Sequence, residues 1–198
     1  MKNRLGGPPG VAPLLLLMLV ICGAPQHPAR AHAPRPARDF LTPKEEELVK
    51  EAQVLDKRVE VYIKAAERRL VVLAGPTAAD GKQAAKDSDK WGELPTGTRT
   101  ELIMDVTNIL DAAVTNIDDV ALRDEKNSLI PKALRKLAAA ATRFRPQIAA
   151  LGQQTQVASE RRALEQVEAN IQEILEAAAR LPAEEERQKG KGKSKKEG

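Results

Sequence analysis

The stretch IPKALRKLAAAATRFRPQIAAL, residues 130–151, sets Ile130, Leu134, Leu137, Ala141, Phe144, Ile148 and Leu151 at alternating intervals of four and three. Such intervals return side chains to one face of an α-helix, whereas a strand would return them every second residue. The segment therefore reads as a helix with one apolar stripe, which needs other helices against it. Pro146 falls nearly opposite that stripe, so a bend that preserves the core face is expected.

Three further segments carry the same pattern. Thr42-Pro43-Lys44-Glu45 has the form of a capping box with proline at the first helical position. The helix it opens is expected to run to about Leu73, with Leu48, Ala52, Leu55, Val59, Tyr62 or Ile63, Ala66, Leu70 and Leu73 along its inner face. Thr98 and Glu101 form a second capping box, before a helix reaching about Lys126 with Leu102, Val106, Ile109, Ala113, Ile117 and Val120 inward. Ser128 is placed to cap the helix quoted above. A last helix, from about Thr155 to Leu181, aligns Val157, Leu164, Val167, Ile171, Ile174, Ala178 and Leu181, with Glu160 the one polar interruption.

Four amphipathic segments without strand alternation predict an all-α fold, a four-helix antiparallel bundle over 42–182. Residues 74–97 contain Gly75-Pro76, Gly81, Gly92, Pro95 and Gly97 and read as a long first loop. The later connections are short, which predicts consecutive antiparallel hairpins for the second, third and fourth helices.

The repeat of V-T-N-I inside DVTNILDAAVTNIDD, residues 105–119, follows from the same geometry. Eight residues is close to two helical turns, so Asn108, Asp111, Thr115 and Asp118 gather opposite the apolar side. A solvated face explains them. Residues 101–125 hold seven acids and one base, whereas 126–159 hold six bases and no acid. The second and third helices should thus attract one another as neighbours.

The ends have a different character. Lys2 and Arg4, an apolar run from Leu14 to Ile21 and then Ala29-Arg30-Ala31 follow the order of a cleavable secretory signal peptide over 1–31. The run is too short to span a bilayer, so no transmembrane span is expected after processing. Cys22 allows lipoprotein anchoring, but Ile21 before it disfavours that reading. Residues 32–41 form a flexible Pro/Arg-rich lead, and 183–198 a charged, disordered tail. The whole chain carries a formal net charge of +4. After Ala31 there remain 29 basic and 28 acidic residues, and five of the lysines stand in the last ten positions.

Beyond Ala31 the chain has no cysteine, and its one histidine is His32. Thiol chemistry, disulfides, haem attachment, His-dependent triads and zinc sites are excluded for that chain. Carboxylate chemistry survives, for instance Asp111 or Asp118 with Glu165 or Glu168, but four aromatics and no phosphate loop or EF-hand leave it little support. No catalytic residue, cofactor or metal is expected.

Two candidate surfaces stand out. Trp91 and Leu94, in WGELPTG, either plug an end of the bundle or form a loop that docks a partner. Lys132, Arg135, Lys136 and Arg143, read on the outward side of the third helix, could join Lys189, Lys191, Lys193, Lys195 and Lys196 in holding an anion. The sequence reads best as an exported, periplasmic or extracellular, non-enzymatic interaction or structural protein of the bacterial cell envelope, binding another envelope protein or itself. The alternative is a module for anionic lipid or polymer; nucleic acid is a poor fit without interleaved aromatics.

Overall fold

Thr42 and Thr98 each begin a helix by the mechanism their sequences imply. The Glu45 amide donates to Thr42 Oγ1 at 3.3 Å, and the Glu45 carboxylate accepts from the Thr42 amide at 2.9 Å. Thr98 and Glu101 repeat the exchange at 3.2 and 2.8 Å. Two orphan donors at each helix start are thereby satisfied.

The computed structural model describes residues 39–75 and 77–182, side chains at 78–80 and 84 excepted. The expected signal peptide, residues 32–38 of the lead and the lysine-rich tail lie outside the described residues. The fold is all-α: α1 Pro43–Glu51, α2 Leu55–Ala74, α3 Ala78–Trp91, α4 Arg99–Arg123, α5 Leu129–Gln154 and α6 Ala158–Ala179. Among the described residues, no helix is long and apolar enough to cross a membrane.

Several expectations are corrected. The first helix is broken at 52–54. Glu45 of α1 reaches Arg69 of α2 at 2.6 Å, whereas 24 residues of unbroken helix would hold them roughly 36 Å apart. The reversed chain is fastened by the side-chain amide of Gln53, which donates to the Lys50 carbonyl, and by Arg58 Nε, which donates to the Ala52 carbonyl at 3.0 Å. The expected first loop contains α3. Its Ala, Lys and Gln content supports a helix despite Gly81, yet among its described side chains none is fully buried, so periodicity has little to register. Ser128 makes no side-chain cap; Asn127 Oδ1 accepts from the Leu129 amide instead, at 3.0 Å. Val157 stands before α6, 51% exposed, rather than on its inner face.

Side-chain pairs set the directions of the long helices. Asn116 of α4 meets Arg58 and Tyr62 of α2, and Asp105 faces Arg69, so α2 and α4 are antiparallel. Lys132 meets Asp56 and Arg143 meets Glu67, so α2 and α5 are parallel. Thr100 meets Ser159 and Asp111 meets Asn170, making α4 and α6 parallel. Arg135 near the start of α5 bonds the Pro182 carbonyl beyond α6, as in an antiparallel pair. Both α2 and α6 pack extensively against α4 and α5, while α4 and α5 touch only lightly. The expected side-by-side hairpin of α4 and α5 is therefore overturned: residues 124–128 carry the chain across the core.

The core is mostly aliphatic, with Val59, Ile103, Ile109, Leu137, Ile148, Ile171 and Ile174, and the aromatic Phe144, essentially sealed from solvent. Phe144, Ile148 and Leu151 are buried and Pro146 is exposed, so the apolar face of α5 continues past the proline. Asn108, Asp111, Thr115 and Asp118 of the repeated stretch lie exposed while Val106, Ile109, Ala113 and Ile117 are buried.

Candidate docking cleft at Trp91

Arg68 sits on α2 between Glu67 and Arg69 and is 6% exposed. Its guanidinium donates to three successive carbonyls where α3 ends: Trp91 at 2.5 Å, Gly92 at 3.0 Å and Glu93. Its Cζ also lies 5.8 Å from the Trp91 ring centroid, within cation–π reach. Burial pulls the Arg68 pKa below its usual value, and the Glu45 carboxylate 3.4 Å away opposes that shift. Gly92 permits the turn: its φ is 67°, and a Cβ there would stand 3.2 Å from Lys44 Cγ.

Beside Arg68 the second buried arginine closes a cluster. Arg69 Nη1 donates to Glu45 at 2.6 Å and to the Ala65 carbonyl at 2.9 Å, and Nη2 donates to the Phe40 carbonyl at 2.7 Å. Among the described residues Arg69 Nε has no hydrogen-bond partner, and the Asp105 carboxylate stands 3.9 Å from it. Two adjacent arginines thus fasten the N-terminal segment, α2, the end of α3 and α4 together.

A half-open cleft of ≈ 270 Å³ lies between α2, α3 and α5. Val71, Trp91, Leu94 and Phe144 give it apolar walls from four different elements. Its charges are matched: Lys64 stands 3.6 Å from Asp87, and Arg143 bonds Glu67 at 2.9 Å. Trp91 also borders a second hollow, with Leu48 of α1 and Val61 of α2. Trp91 and Leu94 are therefore brought together, but Trp91 closes a helix rather than sitting in a free loop.

Of the basic residues of α5, Lys132 and Arg143 are exposed, with side chains 57% accessible, and Lys132, Lys136 and Arg143 pair with acids of α2. Lys132 and Lys136 reach the buried Asp56 carboxylate at 2.7 and 2.6 Å, and Lys136 also bonds Glu60. Hydrogen bonds from Lys132 and Lys136 hold Asp56 at a pKa of about 2. Burial alone would lower the Lys136 pKa, but its bonds to Asp56 and Glu60 raise it. Arg143 bonds Glu67, and Arg135 Nη2 donates to the Pro182 carbonyl at 2.6 Å. These cations mostly face α2. The acidic partner of the basic α5 is thus α2, rather than α4. Lys189, Lys191, Lys193, Lys195 and Lys196 lie outside the described residues.

The acids weighed for catalysis are not drawn into one cleft. Asp111 accepts from Asn170 of α6 at 2.6 Å, while Asp118, Glu165 and Glu168 are exposed. Partial burial raises the Asp111 pKa; the Asn170 bond opposes this and the Glu173 charge reinforces it. Among the described residues no three His, Cys, Asp or Glu side chains gather as metal ligands. At the other end Thr155 Oγ1 donates to buried Glu160 at 2.5 Å, explaining the one polar residue in the stripe of α6.

Sequence reasoning passed over Asp56, Arg68 and Arg69, and read Glu45 only as part of a capping box. The only signal was the dipeptide Arg68-Arg69 directly before the apolar run LVVL. Comparison with family models, curated proteins and solved structures finds no match for this chain.

Proposed function

We propose that this is a non-enzymatic interaction protein of the bacterial cell envelope, in which α2, α4, α5 and α6 form a four-helix bundle that carries a docking surface at the Trp91 cleft. The observation that supports it is the pairing of an indole with a rigid mount. Arg68 holds three consecutive carbonyls, while Trp91 and Leu94 still line an open cleft. Aromatic anchors held in place lose little entropy on binding and dominate interface energies. Export rests on the N-terminal signal-like segment, and the lysine-rich tail is an electrostatic accessory. Attachment to anionic lipid or polymer is the weaker reading, because Lys132, Lys136 and Arg143 already have carboxylate partners on α2.

The test is cross-linked capture from an envelope fraction, at low and moderately high salt, with the full chain and its Trp91→Ala variant compared by mass spectrometry. A defined protein retained at high salt should fall about 30-fold or more with Trp91→Ala, the loss of one hot-spot anchor. Equal recovery by both chains would refute docking at this cleft. Recovery of anionic lipid or polymer alone, lost at high salt, would favour the electrostatic reading.

A further inference from the structure

We infer that the group received by this cleft is an uncharged aromatic side chain, presented by the docking partner. The inference rests on the docking reading above and adds the chemistry of the anchor. Four observations carry it.

The space, ≈ 270 Å³, lies at the small end of the roughly 300–1,000 Å³ of ordinary small-molecule sites and has room for an inserted side chain. Its apolar walls include the half-buried indole of Trp91, beside which a second ring can pack edge to face or offset, whereas Phe144 is 1% exposed and offers no free face. The rim charges are already neutralised across the elements that frame the cleft, Lys64 by Asp87 and Arg143 by Glu67. Arg68 is occupied by carbonyls and Glu45. A charged anchor would have to compete with these pairs, whereas an uncharged ring disturbs none. Lastly, the side-chain amides bordering the cleft each donate one hydrogen bond within their own helices, Gln83 to Asp87 at 3.0 Å and Gln147 to the Arg143 carbonyl at 3.1 Å. The lining thus selects for shape and polarisable surface rather than for charge.

Trp91 is the only tryptophan of the chain, so its indole N–H gives one resonance that reports on the cleft. The full chain, labelled with ¹⁵N, is titrated with N-acetylphenylalanine amide, N-acetylleucine amide and N-acetylphenylalanine as the free carboxylate. The phenylalanine amide should shift the Trp91 signal saturably, with a Kd in the millimolar range and about fivefold tighter than the leucine amide. Val71→Phe, which fills the cleft from α2, and Gln83→Phe, which fills it from exposed α3, should each weaken binding at least tenfold. Retained dispersion of the remaining amide signals shows that each variant is folded.

A flat response to the phenylalanine amide, equal binding of the leucine amide, or tighter binding of the carboxylate would each overturn the inference. If the amide fails to bind but Trp91→Ala still loses a captured protein, docking stands and the aromatic anchor falls. If both fail, both readings fall.

Discussion

Helix α2 carries two charge networks made of the same kinds of side chain, and they differ in how much water they see. On the side facing α1 and α4, Glu45 and Arg69 are 0% and 1% exposed and meet at 2.6 Å. On the side facing α5, Glu67 and Arg143 meet at 2.9 Å with side chains 35% and 57% exposed. Charges taken out of water lean wholly on one another, whereas charges at the surface can fall back on solvent. The first network therefore determines how the chain is folded back at 52–54 and where α3 ends. The second only trims the alignment of two helices that apolar packing already holds. Asp56 lies between these extremes, itself buried but served by Lys132 at the surface.

The sharpest way to break the comparison is Glu45→Gln. It removes the carboxylate from two buried guanidiniums and weakens the box that starts α1. Urea unfolding should report a loss of about 3–5 kcal/mol, as for other buried pairs stripped of one partner. Replacing both ends, Glu45→Leu with Arg69→Met, should recover a large part of that loss, because apolar groups of similar volume can substitute for a buried ion pair. A loss below about 1 kcal/mol for Glu45→Gln would place this network with the exposed one.

Next in size is the pH dependence carried by Asp56. Its folded pKa of about 2 lies below the ordinary 3.8, so the fold favours the ionised form. That stability is complete above the ordinary value and is lost as pH falls through the folded one, amounting to ~2 kcal/mol. Stability curves measured between pH 5 and pH 2 should therefore fall less steeply in Asp56→Asn than in the wild-type chain. Parallel curves would show that Lys132 and Lys136 do not hold the carboxylate in solution.

The same contrast explains what the sequence showed. The long helices were legible because each buries one apolar stripe, and the stripe of α5 ran through Phe144 and Ile148 past Pro146. α3 was not, since none of its described side chains is fully buried and such a helix leaves no period to read. The break at 52–54 has neither glycine nor proline to announce it; a contact 24 residues away requires it. The order of helices was likewise hidden, because the loop 124–128 is short whether it joins neighbours or crosses the core. Trp91 and Leu94 stood out by composition, but their mount did not, since an arginine beside an apolar run gives no sign of which carbonyls it will hold. Opposite charge on α4 and α5 suggested neighbours, yet the acids that meet α5 were dispersed along α2.

The smallest effect sharpens the comparison from its exposed side. Glu67→Gln and Arg143→Gln each remove one end of a pair that spans α2 and α5. Each single change should cost at most ~1 kcal/mol, and the double variant should reveal a coupling of ~0–1 kcal/mol. Raising the salt concentration should shrink that coupling, because both groups stand within reach of mobile ions. The buried Glu45–Arg69 pair should show little salt dependence under the same treatment. A salt-resistant coupling of several kcal/mol between Glu67 and Arg143 would mean that the rim of the Trp91 cleft is as dry as the core. The matched charges there would then be part of a rigid wall rather than a solvated edge.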